Sequence, residues 1–229
     1  MNTINTSDPT LELNYSAWLP IDQNAAILDL GCGDGRVLRF LSSKGYQNTH
    51  GVDRDSQALA QIGKLSGVTI ECTEVGRQYL QQQRGKFKLI ILKQMIYYVE
   101  RNEIMAFMLA LNDALTDDGM IIVEFFNSAL LSSRLTELKD PFIRTAYTEH
   151  SMRRLFVAAG FDVKFIGGQR REKGRNLRSQ LYAALRAGWV FLLGLIYILE
   201  HGMDNELPSI YAKSIVAVAI KRPEQPAFK

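Results

Sequence analysis

An α/β fold, a doubly wound and mostly parallel sheet with helices on both faces, is predicted by three features of the chain. Short β-branched or apolar runs alternate with stretches of helical period from residue 26 to about residue 166. Gly45, Gly67 and Gly160 stand where three of those helices should stop. A length of 229 residues with 47% hydrophobic content suffices for one domain of generous size with a substantial core.

Strands are predicted at 26–30, 49–53, 68–71, 87–92, 120–124 and 162–166, each brief and mostly apolar, as strands covered on both faces must be. Helices fill the gaps, from near Arg36 to Gly45, over 55–65, over 103–115 and over 149–159. Thr148 is the expected N-cap of the last, because its hydroxyl can accept from a first-turn amide that has no helical partner. After Gly168 the alternation breaks. Arg170, Arg171, Lys173, Arg175 and Arg178 fall within nine positions, and residues 187–199 are uncharged and apolar on every side. A last β-branched run, 214–220, is expected to return as an edge strand, after which Pro223 and Pro226 end the order.

Charge and cysteine content narrow the partners. A net charge of +3, from 27 basic and 24 acidic residues, gives no global reason to bind nucleic acid. Cys32 and Cys72 are too few and too far apart for a disulfide framework or a zinc site, which points to a reducing cytoplasm. The opening MNTINTSDPTLELNYSAW has neither the positive start nor the apolar core of an export signal, so export is not expected.

The segment AAILDLGCGDG sets an apolar strand directly before a turn with glycines at 31, 33 and 35, and a helix opening VLRFL follows. Without a Cβ, glycine permits positive φ and lets backbone approach a ligand, while the helix start offers unpaired amides and a partial positive charge. Asp29, at the strand end, is placed to accept from a ligand ammonium or to orient the glycine loop through its amides. Asp53 ends the next strand in GVDRD, where a carboxylate accepts from both hydroxyls of a ribose, and Arg54 beside it can cover an adenine plane. Strand, turn, helix, strand and acidic end in this order are specific to a nucleotide site. A dinucleotide-dependent oxidoreductase would carry Gly-x-Gly-x-x-Gly, and Arg36 stands where its third glycine would pack helix on strand.

LDLGCGDG resembles the first signature of the class I S-adenosylmethionine-dependent methyltransferases, an acidic residue two before a Gly-x-Gly-x-Gly turn, and the resemblance covers about residues 20–166. It implies a Rossmann-like seven-stranded sheet whose last strand runs antiparallel, with S-adenosyl-L-methionine as cofactor. It also implies cofactor contacts at Asp29, Gly31, Gly33 and Asp53, with Thr73 or Glu74 nearest the adenine amino group; Cys32, Gly35, Arg54 and Leu92 are expected to join them from their places on the same turn and strand ends. On this reading residues 1–229 are a single methyltransferase domain. Its parts are a helical lead-in (1–25), a cofactor-binding core (26–168), a basic and apolar helical insertion (169–209) and a final strand with its tail (210–229).

Acceptors in open α/β sheets gather beyond the carboxyl ends of the strands, where LKQMIYYVER offers Lys93, Gln94, Tyr97 and Tyr98, and VEFFNS offers Glu124 and Asn127. The second half of the chain resembles a subgroup associated with lipopolysaccharide, O-antigen and other sugar methylation. The parts that carry this are Asn127, Asp140, the Tyr147–Thr148 pair, LFVAAGF, the basic stretch, the long apolar helix and IVAVAIKRP, in that order. The resemblance implies O-methylation of a sugar or glycan hydroxyl in bacterial surface-polysaccharide or related glycan biosynthesis. The chain departs from the subgroup where Tyr97 and Tyr98 replace Glu-His and where DPFIR, from Asp140 to Arg144, replaces Asp-x-Thr-His-Glu.

A sugar hydroxyl is a poor nucleophile near neutral pH and needs a positioned base or a metal. With both histidines absent, the base is expected among Glu124, Asp140 and Tyr97, with His150 a weaker choice, and no metal constellation emerges. Lys93, Gln94, Tyr98, Asn127 and Arg144 are the expected acceptor contacts. Plainer readings stand beside these: the tyrosines as pocket walls or core-edge aromatics, Lys93 as a solvated strand-end charge, Asp140 before Pro141 as the start of a turn. Two other functions fit the same residues, a methyltransferase acting on nitrogen, carbon or oxygen of a small metabolite, and a partner subunit that binds cofactor without catalysis.

Residues 187–199 are thirteen, short of the roughly twenty that span a bilayer, and Arg186 interrupts the run. A helix apolar all round must be covered, either on its own domain or across a dimer seam. Alternatively the basic residues meet anionic lipid while Trp189, Phe191 and Tyr197 enter the headgroup boundary. Residues 177–200 are therefore the expected homodimer or peripheral-membrane surface of a cytoplasmic enzyme working at the inner face of the membrane.

Overall fold

The computed structural model describes residues 8–171, 176–202 and 207–223; Lys173, Arg175 and Pro226 lie outside the described residues. Asp8 caps the first helix, α1 (Pro9–Tyr15), by accepting the amides of Thr10 and Leu11. There follow β1 (Ile27–Leu30), α2 (Arg36–Ser43), β2 (Thr49–Asp53), α3 (Ser56–Leu59), β3 (Val68–Cys72), α4 (Arg77–Gln81) and β4 (Phe87–Lys93). The second half carries α5 (Ile104–Ala114), β5 (Leu115–Phe126), α6 (Ser133–Lys139), α7 (Glu149–Ala158), β6 (Phe161–Gly168), α8 (Leu177–His201) and β7 (Ser214–Lys221).

The strands form one seven-stranded sheet in the order β3-β2-β1-β4-β5-β7-β6, parallel except for β7, which runs antiparallel to both neighbours. The chain leaves β1 toward β2 and β3, then crosses back to β4 on the other side, so the reversal opens a crevice beyond the carboxyl ends of β1 and β4. The expected edge position of β7 is overturned. Ile215 to Ala219 are fully buried between β5 and β6, because a run apolar on both faces needs cover on both, and β6 takes the edge.

Period-two alternation sorts the strand residues onto two faces. Ile27, Leu89, Ile91 and Ile122 pack with Leu11 and Tyr15 of α1 and with Val37, Phe40 and Leu41 of α2. Leu28, Leu30, Ile90, Leu92, Ile121 and Val123 pack on the other face with Leu80, Phe107, Leu111, Met152 and Phe156. Continued two residues along each strand, the first set brings Asp29, Lys93 and Glu124 to the α1–α2 face, with Lys93 and Glu124 paired in register.

Some helices differ from expectation. The segment 55–65 is helical only as far as Leu59, for the amides of Gln61 and Ile62 bond back three residues and draw the Ile62 side chain into the pocket of Cys32, Leu38 and Leu59. α4 and α6, of five and seven residues, are too short to show an apolar period. Thr148 caps α7 as expected, its hydroxyl accepting the Ser151 amide.

The length limit set on the apolar helix also fails. α8 starts ten residues before Ala187, capped by Asn176, whose side chain accepts the Ser179 amide at 2.8 Å. Among the described residues Leu177–Glu200 is the one helix long and apolar enough to cross a membrane by length and composition, with a mean hydropathy of 1.8 over its most apolar 18 residues. Its own domain covers only a narrow stripe of it, around Leu193.

Candidate active site

The turn after β1 is tied down from both sides. The amides of Gly31 and Cys32 donate to the Val52 carbonyl at 2.8 and 3.0 Å, and the Gly33 amide donates to Asp53 Oδ2 at 2.7 Å. Asp53 thus holds the glycine loop, a task the sequence had offered to Asp29, while its Oδ1 accepts the Asp55 amide. Each Asp53 oxygen keeps a lone pair for a further donor. Gly33, at φ +51°, faces open space where a Cβ would be. Gly35, at φ +81°, would set a Cβ 2.8 Å from Ile62 and lines neither of the two cavities beside the turn; packing beneath the turn, rather than ligand approach, requires it to be glycine.

Two cavities meet at Gly31. The smaller, about 300 Å³, is lined by Asp29, Gly31, Cys32, Gly33, Asp34, Arg36, Val37 and Lys93. Asp29 is 1% exposed and neither of its carboxylate oxygens has a hydrogen-bond partner. Burial pushes its pKa up to about 8, against the pull of Lys93. A carboxylate buried without donors is costly, and a ligand cation would satisfy it. With Arg36 and Lys93 in the same cavity, the charges suit a zwitterion, its ammonium on the acid and its carboxylate on a base. Lys93, expected as an acceptor contact, lies on this side instead, with Nζ 3.7 Å from Glu124 Oε1. Burial also pushes the Cys32 thiol far above its usual range, so it serves as a neutral wall.

The larger cavity, about 530 Å³, runs from Gly31 past Asp53, Arg54 and Glu74 to Gln94, Tyr98 and Asp140. Thr73 lines neither cavity; its amide donates to the Asp53 carbonyl at 3.0 Å. Leu92 is fully buried on the face of α5 and α7, so the contact expected of it is corrected to core packing: period two turns its side chain away from the α1–α2 face. Gln94 has φ +58°, the one positive φ outside glycine among the described residues, and its amide donates to the Glu124 carbonyl at 2.8 Å. Such backbone strain at a strand end beside a cavity is typical of a site held in a fixed geometry.

The base candidates separate clearly. Glu124 is 1% exposed and accepts from Tyr15 Oη at 2.9 Å and from the side-chain amides of Gln94 and Gln169, each at 3.1 Å, beside Lys93. It lines neither cavity, so its four partners make it an anchor for Lys93 and Gln94 rather than a free base. Tyr97 is likewise corrected: buried against Phe126, it donates its hydroxyl to Gln94 Oε1 at 3.0 Å, and burial holds its proton on at any physiological pH. Asp140 does line the larger cavity. Its Oδ2 accepts from Tyr98 Oη at 2.7 Å and its Oδ1 accepts the Phe142 amide at 3.0 Å, so it starts a turn and faces the cavity at once. Burial and the neighbouring carboxylate push the Tyr98 pKa up to about 12.

The remaining acceptor contacts divide. Tyr98 and Gln94 line the larger cavity. Asn127 does not, for it is 1% exposed, its amide donates to the carbonyls of Ile210 and Ala212, and its oxygen accepts the Ala129 amide. It is a clamp on the approach to β7. Arg144 pairs with Glu100 at 3.1 Å and lines neither cavity, and His150 contacts the Leu207 carbonyl at 3.1 Å, also away from both. Sequence reasoning missed Tyr15 under Glu124, Arg36 in the smaller cavity, and Arg77, Glu103 and Phe142 in the larger one. Only Arg36, immediately after the glycine turn, had a positional signal.

Comparison with known proteins bears on the family and the fold. Residues 10–164 match a family described as methyltransferase domain. No curated protein matches the chain. Among solved structures, a SAM-dependent methyltransferase from Archaeoglobus fulgidus superposes at TM-score 0.63 with 15% identity over 86% of both chains. An S-adenosylmethionine-dependent methyltransferase from Mesorhizobium loti does so at TM-score 0.63 with 16% identity, over 93% of this chain and 96% of that one. Phosphoethanolamine N-methyltransferase 2 of Haemonchus contortus, in complex with S-adenosyl-L-methionine, gives 0.61 with 17% identity, over 93% of this chain and 52% of its own.

Proposed function

The chain belongs to the methyltransferase-domain family and is an S-adenosylmethionine-dependent methyltransferase, and on that premise we propose that it methylates a hydroxyl of a sugar or glycan in bacterial surface-polysaccharide or related glycan biosynthesis, in the cytoplasm. One observation carries the site: the two cavities share Gly31, with the unpartnered Asp29 carboxylate in one and the Tyr98–Asp140 pair in the other. The cofactor, when bound, supplies a methyl group on a positively charged sulfur. Asp29 takes its ammonium and Arg36 or Lys93 its carboxylate, while the free lone pairs of Asp53 accept from the ribose hydroxyls, and Arg54 and Glu74 flank the base.

In the larger cavity Asp140 holds the acceptor hydroxyl and takes its proton as the oxygen–methyl bond forms. Tyr98, which keeps its own proton, steadies that carboxylate by donating to it. Tyr98 and Phe142 offer aromatic faces to the apolar side of a sugar ring. Carboxylates outnumber cations on the lining, Asp53, Asp55, Glu74, Glu100, Glu103 and Asp140 against Arg54 and Arg77, which disfavours a phosphorylated acceptor. The same excess supports a second reading, methylation of an amine nitrogen of a small metabolite. A methyl-transfer screen of neutral sugars and glycans, sugar phosphates and amines separates them: turnover on neutral hydroxyl acceptors is expected, and turnover confined to amines selects the second reading.

A further inference from the structure

We infer that α8 is an in-plane anchor for an anionic lipid surface. At about 100° per residue, Arg186, Val190, Leu193, Gly194 and Tyr197 share one arc of α8, and this arc faces the domain. Leu193 is buried, Arg186 Nη2 donates to the Tyr211 carbonyl at 3.0 Å, and the Tyr197 hydroxyl donates to the Ala129 carbonyl. On the opposite side stand Leu181, Leu185, Leu192, Leu195 and Leu199, exposed by 62, 67, 46, 42 and 84%, with Trp189 and Phe191 flanking them at 50 and 70%. A leucine stripe this long on the outside of a folded domain is costly in water and marks a contact surface.

Geometry excludes an upright helix. The docked residues lie between positions 186 and 197, inside the apolar stretch, so a helix standing across a bilayer would drag Tyr211, Ala129 and the sheet behind them into hydrocarbon. Lying flat keeps the docked arc on the domain and turns the leucines toward the acyl boundary. Charge favours lipid over a second copy of this chain. Among the described residues from 170 to 202, the exposed arginines that are not docked on the domain, Arg170, Arg171 and Arg178, outnumber the single acid, Glu200. Anionic headgroups neutralise that excess, whereas a second copy doubles it. α8 docks on Ala129, just past the carboxyl end of β5, at the end of the sheet that carries both cavities.

The test is flotation of the full chain with vesicles of phosphatidylcholine alone and with about one third phosphatidylglycerol. Expected are binding to the anionic vesicles that weakens as salt rises from about 0.05 to about 0.5 M, little binding to the neutral ones, and a blue shift of Trp189 emission in a Trp18→Phe chain. Leu181→Glu, Leu192→Glu and Leu199→Glu together should cut the bound fraction about tenfold or more while S-adenosylmethionine titration is unchanged, which shows that the fold survives. Arg171→Glu with Arg178→Glu, both on the surface, should remove the salt-sensitive part. The inference is overturned if the chain stays unbound at low salt, if neutral vesicles bind it equally, if the triple variant floats as the parent does, or if sedimentation shows a dimer that the triple variant dissolves and vesicles do not compete with.

Discussion

Asp53 Oδ2 accepts the backbone amide of Gly33 at 2.7 Å, joining the end of β2 to the turn after β1 across twenty positions of sequence. The carboxylate therefore shapes the loop before any ligand arrives, and its remaining lone pairs are aimed by that bond. Asp53→Ala should raise the dissociation constant for S-adenosylmethionine by about 10- to 100-fold, the equivalent of a charge-assisted hydrogen bond, and lower the melting temperature. Calorimetric titration and thermal unfolding measure both. Unchanged affinity would remove Asp53 from the ribose.

Asp29 predicts a proton inventory. With a folded-state pKa of about 8, it is protonated at neutral pH in the free chain, and a ligand ammonium favours its ionised form. Titration at pH 7 in two buffers of different ionisation enthalpy should show release of about one proton on binding, and Asp29→Asn should abolish the release. Stability follows the same sign. Because the pKa is raised from 3.8, Asp29 contributes most below that value and its contribution is lost as pH rises through about 8. Thermal unfolding of the free chain should fall over that range, and less steeply in Asp29→Asn.

The glycines of the turn should fail in different ways. Gly33→Ala puts a methyl group into open space at φ +51°, so it should cost about 1 kcal/mol of stability yet weaken cofactor binding strongly. Gly35→Ala, strained by φ and pressed on Ile62, should lose more stability, about 2 to 4 kcal/mol. Denaturant unfolding beside titration distinguishes the two, and equal binding by Gly33→Ala would move the ligand away from the turn.

Asp140→Asn should lower kcat about 100- to 10,000-fold on the acceptor found by screening, with cofactor affinity intact. Tyr98→Phe should reduce it less, because it removes a donor to the base and leaves the base in place. Glu124→Gln tests the alternative: a collapse of turnover there with unchanged stability would return the base to Glu124.

How much of this was legible depended on whether a signal is local. The strand at 49–53 and the turn at Gly31 to Gly35 lie in contiguous residues whose types alone impose their conformation, and both are where the sequence puts them. Glu124 and Asn127 misled because a polar residue at a strand end reads the same whether it faces a cavity or is enclosed, and the partners that enclose them, Tyr15, Gln169, Ile210 and Ala212, are more than forty positions away. Tyr98 and Asp140 were each visible alone. Their 2.7 Å contact across 42 positions was not, since no periodicity encodes which loop folds over which strand end. The local sequence does not show that β7 is internal, because its neighbours are set by the whole topology, although its run of IVAVAI asks for cover on both faces.

Calorimetric titration of the purified chain with S-adenosylmethionine and, separately, with NAD reads whether the crevice at Gly31 holds S-adenosylmethionine. Saturable binding of S-adenosylmethionine with none of NAD is the predicted result. Binding of NAD alone would contradict it and return the glycine turn to the oxidoreductases.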